Sequence, residues 1–445
     1  MFQGLWLKYE ERIYSLIPPL LLIYIFFQPF NHFAGIRNTA FYAMLLFFLI
    51  KIIRRGINPA SEACPRVHPS GGFNWRINWK DSAMIAFFIL LMAILVSIFF
   101  SNYIIDSLNA FRKNFFYQMV VFFVILTEFR DIGKLRALLC AVVLSFITLT
   151  IIIFIKNPPA NLLNILEAKA DRETFLGGYA LNAAFYIPFT LGYLFSIKDR
   201  IIMRGFLWVM LLAEFALVWL YYSSRTTLIA ILISTVVMIV MSKRYKMLAI
   251  IIVLFLAVGG VSYFKKPELI DRYKTLLSFQ TYTGNVGLSG RGYIWKGTVE
   301  IIKDRPIIGY GYGWKKLALV ARDGGYLERW KDKWAGTYDY FSRTSYGSAN
   351  PHNLVLQILF EVGILGLGAF VLFWLTVFIK VVKIIKSGTE DELNCFVKYG
   401  VTGVLVAYAI VNMANGLWEE SYGILTFALA AVIMVVYEQN RCKDH

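Results

Sequence analysis

Residues 82–100 read SAMIAFFILLMAILVSIFF, nineteen positions without a charge. A helix rises about 1.5 Å per residue, so a run of this length crosses the roughly 30 Å hydrocarbon core of a bilayer. Lipid offers no partner for backbone N–H and C=O groups, so a single run in that core must be helical. Working outward from it, runs of the same character recur at 13–30, 39–53, 115–129, 137–155, 176–196, 205–222, 226–242, 247–264, 351–379, 399–417 and 421–437. Together they predict an all-α polytopic membrane protein with about twelve transmembrane helices. The even number puts both chain ends on one side.

Composition agrees. The chain has 445 residues, 58% of them hydrophobic and only 16% charged, with 37 Phe and 26 Tyr. Mean hydropathy is +0.60. These values exclude a cytosolic enzyme, a secreted disulfide scaffold and a disordered chain. The net charge of +17 does not point to nucleic acid, because the basic residues punctuate the apolar runs and form no continuous basic helix. The four cysteines (Cys64, Cys140, Cys395 and Cys442) show no CxxC spacing and no disulfide pattern. No cleavable signal peptide is visible ahead of the first run.

Loop charge predicts orientation. One set of loops comprises the N-terminus, 51–81, 130–136, 197–204, 243–246, 380–398 and the C-terminus, and carries 23 Lys and Arg. The opposite short loops (31–38, 101–114, 156–175, 223–225 and 418–420) carry 7. Lys and Arg in short loops mark the cytoplasmic side, so both termini are expected inside. The remaining 15 basic residues lie in one long loop, 265–350, with 8 acids. Long loops cross membranes largely regardless of charge, so this one can be external.

Three parts follow: helices 1–9 in residues 1–264, a loop domain in 265–350, and helices 10–12 in 351–445. The loop is rich in Trp, Tyr and Gly and holds only Pro267 and Pro306. Its 292–303 stretch spaces Tyr293, Ile294, Trp295, Val299, Ile301 and Ile302 as an amphipathic helix that could lie on the membrane surface. The expectation is a folded external cap, with Trp314, Trp330 and Trp334 as cap core or interfacial belt. Glu419 and Glu420, in the last external turn, are expected to be solvated.

Three polar positions stand near predicted helix starts on the expected external side. Ser224 is a plausible cap before Arg225. Ser289 and two glycines flank Arg291. Asn350 is placed as a cap, with Pro351 at the first helical position and His352 after it. Helix N-termini favour anions, and a guanidinium fork binds phosphate oxygens in pairs, so two Arg and one His suit a diphosphate and a titratable proton acceptor. Plainer readings stand beside this one: Arg225 as a snorkelling anchor, Arg291 paired with an acid, His352 as a helix cap. Arg172 and Arg112, on other loops of the same side, are weaker candidates. Four scattered histidines build no metal site, and Gly309-Tyr310-Gly311-Tyr312-Gly313 lacks the Lys-Ser/Thr of a phosphate loop.

Several of these residues fall into a larger pattern. From His352 the chain reads H-N-x-x-L-x6-G-x-x-G, through Leu356, Gly363 and Gly366. Upstream lie S-G-R-x-x-x-W, from Ser289 to Trp295, and D-R-P-I-I-G-Y-G-Y-G, from Asp304 to Gly313. Further upstream, Arg225-Thr226-Thr227-Leu228 opens a span, its Leu one position earlier than the usual four after the Arg. These motifs, and the twelve-span layout with a large loop before the His motif, resemble O-antigen ligases (WaaL-type) and O-antigen polymerases (Wzy_C).

The resemblance implies a GT-C-like fold and a metal-independent, inverting glycosyltransferase of the bacterial inner membrane that works at the periplasmic face without a cofactor. Its donor would be a polysaccharide on undecaprenyl diphosphate and its acceptor lipid A-core, with membrane lipids around it. Arg225 and Arg291 would hold the diphosphate, and His352 would activate the acceptor hydroxyl. A polymerase of the same family shares this site logic and differs in acceptor. A lipid-linked glycan flippase would need a charged path open to both sides, and a receptor or scaffold would not need His352.

Overall fold

The computed structural model describes residues 10–55, 78–156, 178–197, 200–221, 225–247, 256, 260, 291–388 and 391–443. Among them every regular element is helical. In chain order the named α-helices begin with α1 (Ile17–Phe26), α2 (Ala34–Arg55), α3 (Ser82–Phe99), α4 (Ile104–Lys113), α5 (Phe115–Glu128), α6 (Ile132–Lys156), α7 (Tyr179–Ser196), α8 (Ile201–Tyr221) and α9 (Arg225–Ser242). Then come α10 (Arg291–Asp304), α11 (Leu317–Asp323), α12 (Tyr326–Lys331), α13 (Ala335–Arg343) and α14 (Leu354–Lys386). The chain ends with α15 (Glu392–Asn412), which contains a π-turn at Val397–Val401, and α16 (Glu420–Lys443).

Among the described residues seven helices are long and apolar enough to cross a membrane: α2, α3, α6, α8, α14, α15 and α16. The protein is therefore an all-α, multi-pass membrane protein. Helices α1, α5, α7 and α9 also lie on predicted spans but run only 10–18 residues. Of these, α7 is buried along almost its whole length. The predicted span at 247–264 falls outside the described residues except at 247, 256 and 260. The 39–53 run is longer than its apolar stretch suggests, because Ala34–Arg55 is one continuous helix.

Aromatic rings fill the interior. Phe87 stacks on Phe122 with centroids 4.9 Å apart, and Phe373 on Phe427 at 5.3 Å.

Ion pairs gather where the basic loops were predicted. Lys51 meets Glu128 at 2.8 Å, Lys380 meets Asp81 at 2.6 Å, and Arg136 meets Glu392 at 2.9 Å. Asp81 also caps α3 by accepting the Ala83 N–H at 2.8 Å. The opposite end of the bundle carries the cap, α10–α13. Its own core is Trp330, which is fully buried, with Tyr326, Phe341, Leu317, Ala321 and Ile301. Trp334 stacks partly buried on Trp330.

The cap is fastened to the bundle by the Pro306–Gly313 strap. Helix α14 is broken at Gly363 (φ 65°, ψ −166°), which frees backbone groups on both sides of the break. The strap satisfies them. Tyr310 N–H donates to the Phe360 carbonyl at 2.8 Å, and Gly311 N–H to the Glu361 carbonyl at 2.9 Å. In return Ile364 N–H donates to Pro306 O at 2.8 Å, and Leu365 N–H to Ile307 O at 3.3 Å. Ser97 and Ser101 of the bundle donate to Glu361 O and Tyr310 O at 2.6 and 2.5 Å. A backbone break at membrane depth is tolerable where neighbours replace the lost bonds in this way. The glycine run thus has a docking role, and the predicted span at 351–379 is two helical pieces joined at Gly363.

Candidate active site

His352 sits between strap-bound cap and bundle, two residues ahead of α14. Its backbone is left-handed (φ 49°), a conformation that costs a side-chain-bearing residue of order 1–3 kcal/mol and persists only when its surroundings impose it. Those surroundings are visible. The N–H of His352 donates to the Asn350 side-chain oxygen at 2.7 Å. The Pro351 carbonyl, on the other side of the same peptide, accepts the Trp295 indole N–H at 3.0 Å.

One sequence expectation is corrected here. Asn350 does not cap the helix, and Pro351 is not its first residue. The left-handed turn at His352 delays the helix, and Asn353 becomes the cap, its side-chain oxygen accepting the Leu356 N–H at 3.1 Å. The Asn353 amide also donates to Met413 O at 3.2 Å, tying the α15–α16 loop to the site.

Arg291 begins α10, one turn ahead of Trp295. It is partly buried, and burial draws its pKa below the ordinary guanidinium value. No carboxylate among the described residues pairs with it. The His352 pKa falls from 6.5 to about 4, chiefly through burial and further through repulsion by Arg291. The imidazole is therefore neutral at physiological pH, and no hydrogen bond among the described residues occupies it. An unpaired, partly desolvated cation beside a neutral imidazole can hold an anion and accept a proton from a neighbouring hydroxyl.

Arg291 lies near enough to His352 for its charge to act on the imidazole. Arg225 is the first residue of α9. The far end of α9 reaches the ion-paired end of the bundle, where Arg244 donates to Phe195 O. Its first residue therefore stands at the cap end, and its side chain lies outside the described residues, as do Ser224 and Ser289. Arg172 is also outside them. Arg112 is exposed in the last turn of α4, and its charge acts on Tyr117 of α5.

A second polar group was missed by the sequence reading. Lys316 is 1% exposed and donates to the Tyr312 and Gly313 carbonyls at 2.8 and 2.6 Å. Burial lowers its pKa to about 8, while Glu361, Glu419 and Asp106 favour its charge. Glu361 and Glu419 lie near enough for their carboxyl groups to act on each other. Glu361 also accepts from the Gln357 amide at 2.7 Å, and Glu419 from Asn114 at 3.0 Å. Glu419, expected to be solvated, is in fact 4% exposed, because the 413–419 loop folds inward against α14 and α5. Nothing in the local sequence around Lys316 announces its burial; the strap imposes it. Among the described residues no three His, Cys, Asp or Glu side chains gather as a metal site.

Comparison with known proteins bears on this geometry. Residues 205–371 match the Wzy_C family model, described as O-Antigen ligase, a span that holds Arg225, Arg291 and His352. A protein of Salmonella typhimurium (strain LT2) called O-antigen ligase is 30% identical over 152 residues, 33% of each chain. A putative polysaccharide ligase of Rickettsia felis is 29% identical over 133 residues, 29% of this chain and 30% of that one. The matches span about a third of the length of these relatives.

Proposed function

The chain belongs, through residues 205–371, to the O-antigen ligase family, and from that premise we propose that it transfers a polysaccharide from undecaprenyl diphosphate to lipid A-core. The observation that carries the reading is the pairing of Arg291, partly buried and without a carboxylate partner among the described residues, with a neutral His352. An isolated buried cation is costly until an anion reaches it. A diphosphate at the membrane boundary is such an anion, and its prenyl tail can stay in the lipid while the glycan extends over the cap.

In the proposed reaction the acceptor hydroxyl oxygen attacks the anomeric carbon from the face opposite the diphosphate. The anomeric C–O bond breaks as the new one forms, so configuration inverts. The electron pair leaves with the diphosphate, where the guanidinium of Arg291, joined by Arg225, stabilises the growing charge. The hydroxyl proton passes to a ring nitrogen of His352, a general-base contribution of about 10²–10⁴ in rate. Fixed cations take the part that a divalent ion plays elsewhere, so the reaction needs no metal. The site faces the periplasm, the protein sits in the inner membrane, and both termini are cytoplasmic, as the loop charges direct.

The test offers purified protein a lipid-linked polysaccharide with lipid A-core. Glycan appearing on lipid A-core supports the ligase reading. Glycan moving only onto a second lipid-linked oligosaccharide replaces it with a polymerase, whose site would be the same.

A further inference from the structure

We propose that Trp295 is a positioning residue: with Asn350 it clamps the Pro351–His352 peptide and so fixes the imidazole of His352 against Arg291. The inference rests on the catalytic reading above and deepens it. Three observations converge. The peptide is held on both polar edges, its C=O by the Trp295 indole at 3.0 Å and its N–H by the Asn350 side chain at 2.7 Å. The residue that follows is a histidine in a left-handed conformation, which a free chain would leave. And Trp295 lies on the same helix as Arg291, four residues later, so one rigid element carries both the cation and the clamp.

The geometry has a direct consequence. Trp295 and Arg291 sit one helical turn apart, and neighbours at that spacing share a face of the helix. A shift of α10 therefore moves the phosphate-binding cation and the His352 peptide together, which preserves their spacing. The left-handed turn precedes Asn353, which is extended and caps α14, so the orientation of His352 is set by two side chains outside that helix. Without the indole bond, the peptide can rotate and His352 relax to an ordinary backbone conformation, turning its ring away from the donor. Reacting groups displaced by about 1 Å can lose on the order of 10² in rate with little change in binding.

Trp295→Phe keeps most of the ring and removes the N–H. It is expected to lower kcat by about 10- to 100-fold while the KM for the lipid-linked donor stays within about twofold, because Arg291 remains. Asn350→Ala should do the same, and Asn350→Asp, which retains an acceptor oxygen, should recover most of the loss. A readout independent of turnover is the titration of His352 by NMR in protein with labelled histidine, identified by subtraction of His352→Ala. Its midpoint, about 4 in the native site, should rise toward 6.5 in Trp295→Phe as the ring leaves its buried place beside Arg291. Native kcat and an unmoved midpoint in Trp295→Phe would overturn the clamp, as would equal losses in Asn350→Ala and Asn350→Asp. If the unaltered protein moves no glycan to any acceptor, the catalytic reading fails, and the titration still decides the clamp.

Discussion

Replacing Gly363 by Ala tests whether the strap holds the cap on the bundle. At this residue the backbone lies at φ 65°, ψ −166°, open in practice to glycine alone. An added Cβ would stand 2.2 Å from the Ile307 carbonyl oxygen and 2.5 Å from the Ile308 nitrogen. Both are backbone atoms of the strap, so no side chain can swing aside. The strap must retreat, and the Ile364–Pro306 and Leu365–Ile307 hydrogen bonds go with it. Backbone strain of about 1–3 kcal/mol and two buried groups stranded at about 1–3 kcal/mol each, with partial relaxation, give a loss of about 3–6 kcal/mol.

Reversible unfolding in mixed micelles measures it, and Gly368→Ala is the control. Gly368 lies in the same helix with nothing within 4 Å of its added Cβ, so alanine there should be neutral or stabilising by up to about 1 kcal/mol. Glycan transfer should fall further in Gly363→Ala than the unfolded fraction explains, because Arg291 rides on the cap and His352 leads into α14. Matching unfolding curves for the two variants, within about 0.5 kcal/mol, would refute the strap argument.

Other outcomes follow from the same structure. In the native protein transfer should rise with pH through about 4, where His352 loses its proton, and hold steady above. Arg291→Gln should cut transfer and move that acid limb upward, since the repelling charge is gone; burial, the larger cause, should keep it short of 6.5, as kcat/KM against pH will show. Lys316→Ala should destabilise by about 2–4 kcal/mol, since it takes the donor from the buried Tyr312 and Gly313 carbonyls at about 1–3 kcal/mol each, with partial relaxation; equilibrium unfolding checks it. Transfer should survive EDTA, and loss restored only by a divalent ion would contradict the role given to the guanidinium groups.

The helical bundle was legible because length and apolarity alone decide a membrane span, and eleven predicted runs carry helices. What escaped was long-range. The break at Gly363 looks in sequence like any small residue in a span; only the strap, some 50 residues earlier, gives it partners. The same holds for Glu419, which reads as a turn residue and is buried because Asn114 and the inward loop reach it. Arg291 and His352 were legible as residue types near helix starts, and their meeting was not, since it depends on how α10 docks. The position of the helix cap was missed by three residues because a left-handed histidine has no sequence signature. Phosphate binding by Arg225 and Arg291 is a proposal, as is proton acceptance by His352, and the Arg225 side chain lies outside the described residues.

Arg291 and His352 are expected to serve one substrate in different ways. Native mass spectrometry of undecaprenyl diphosphate binding to Arg291→Gln and His352→Ala separates those ways. The expected result is weakened binding in Arg291→Gln and undiminished binding in His352→Ala, with glycan transfer lost from both. Full binding in Arg291→Gln, or transfer persisting in His352→Ala, would contradict it.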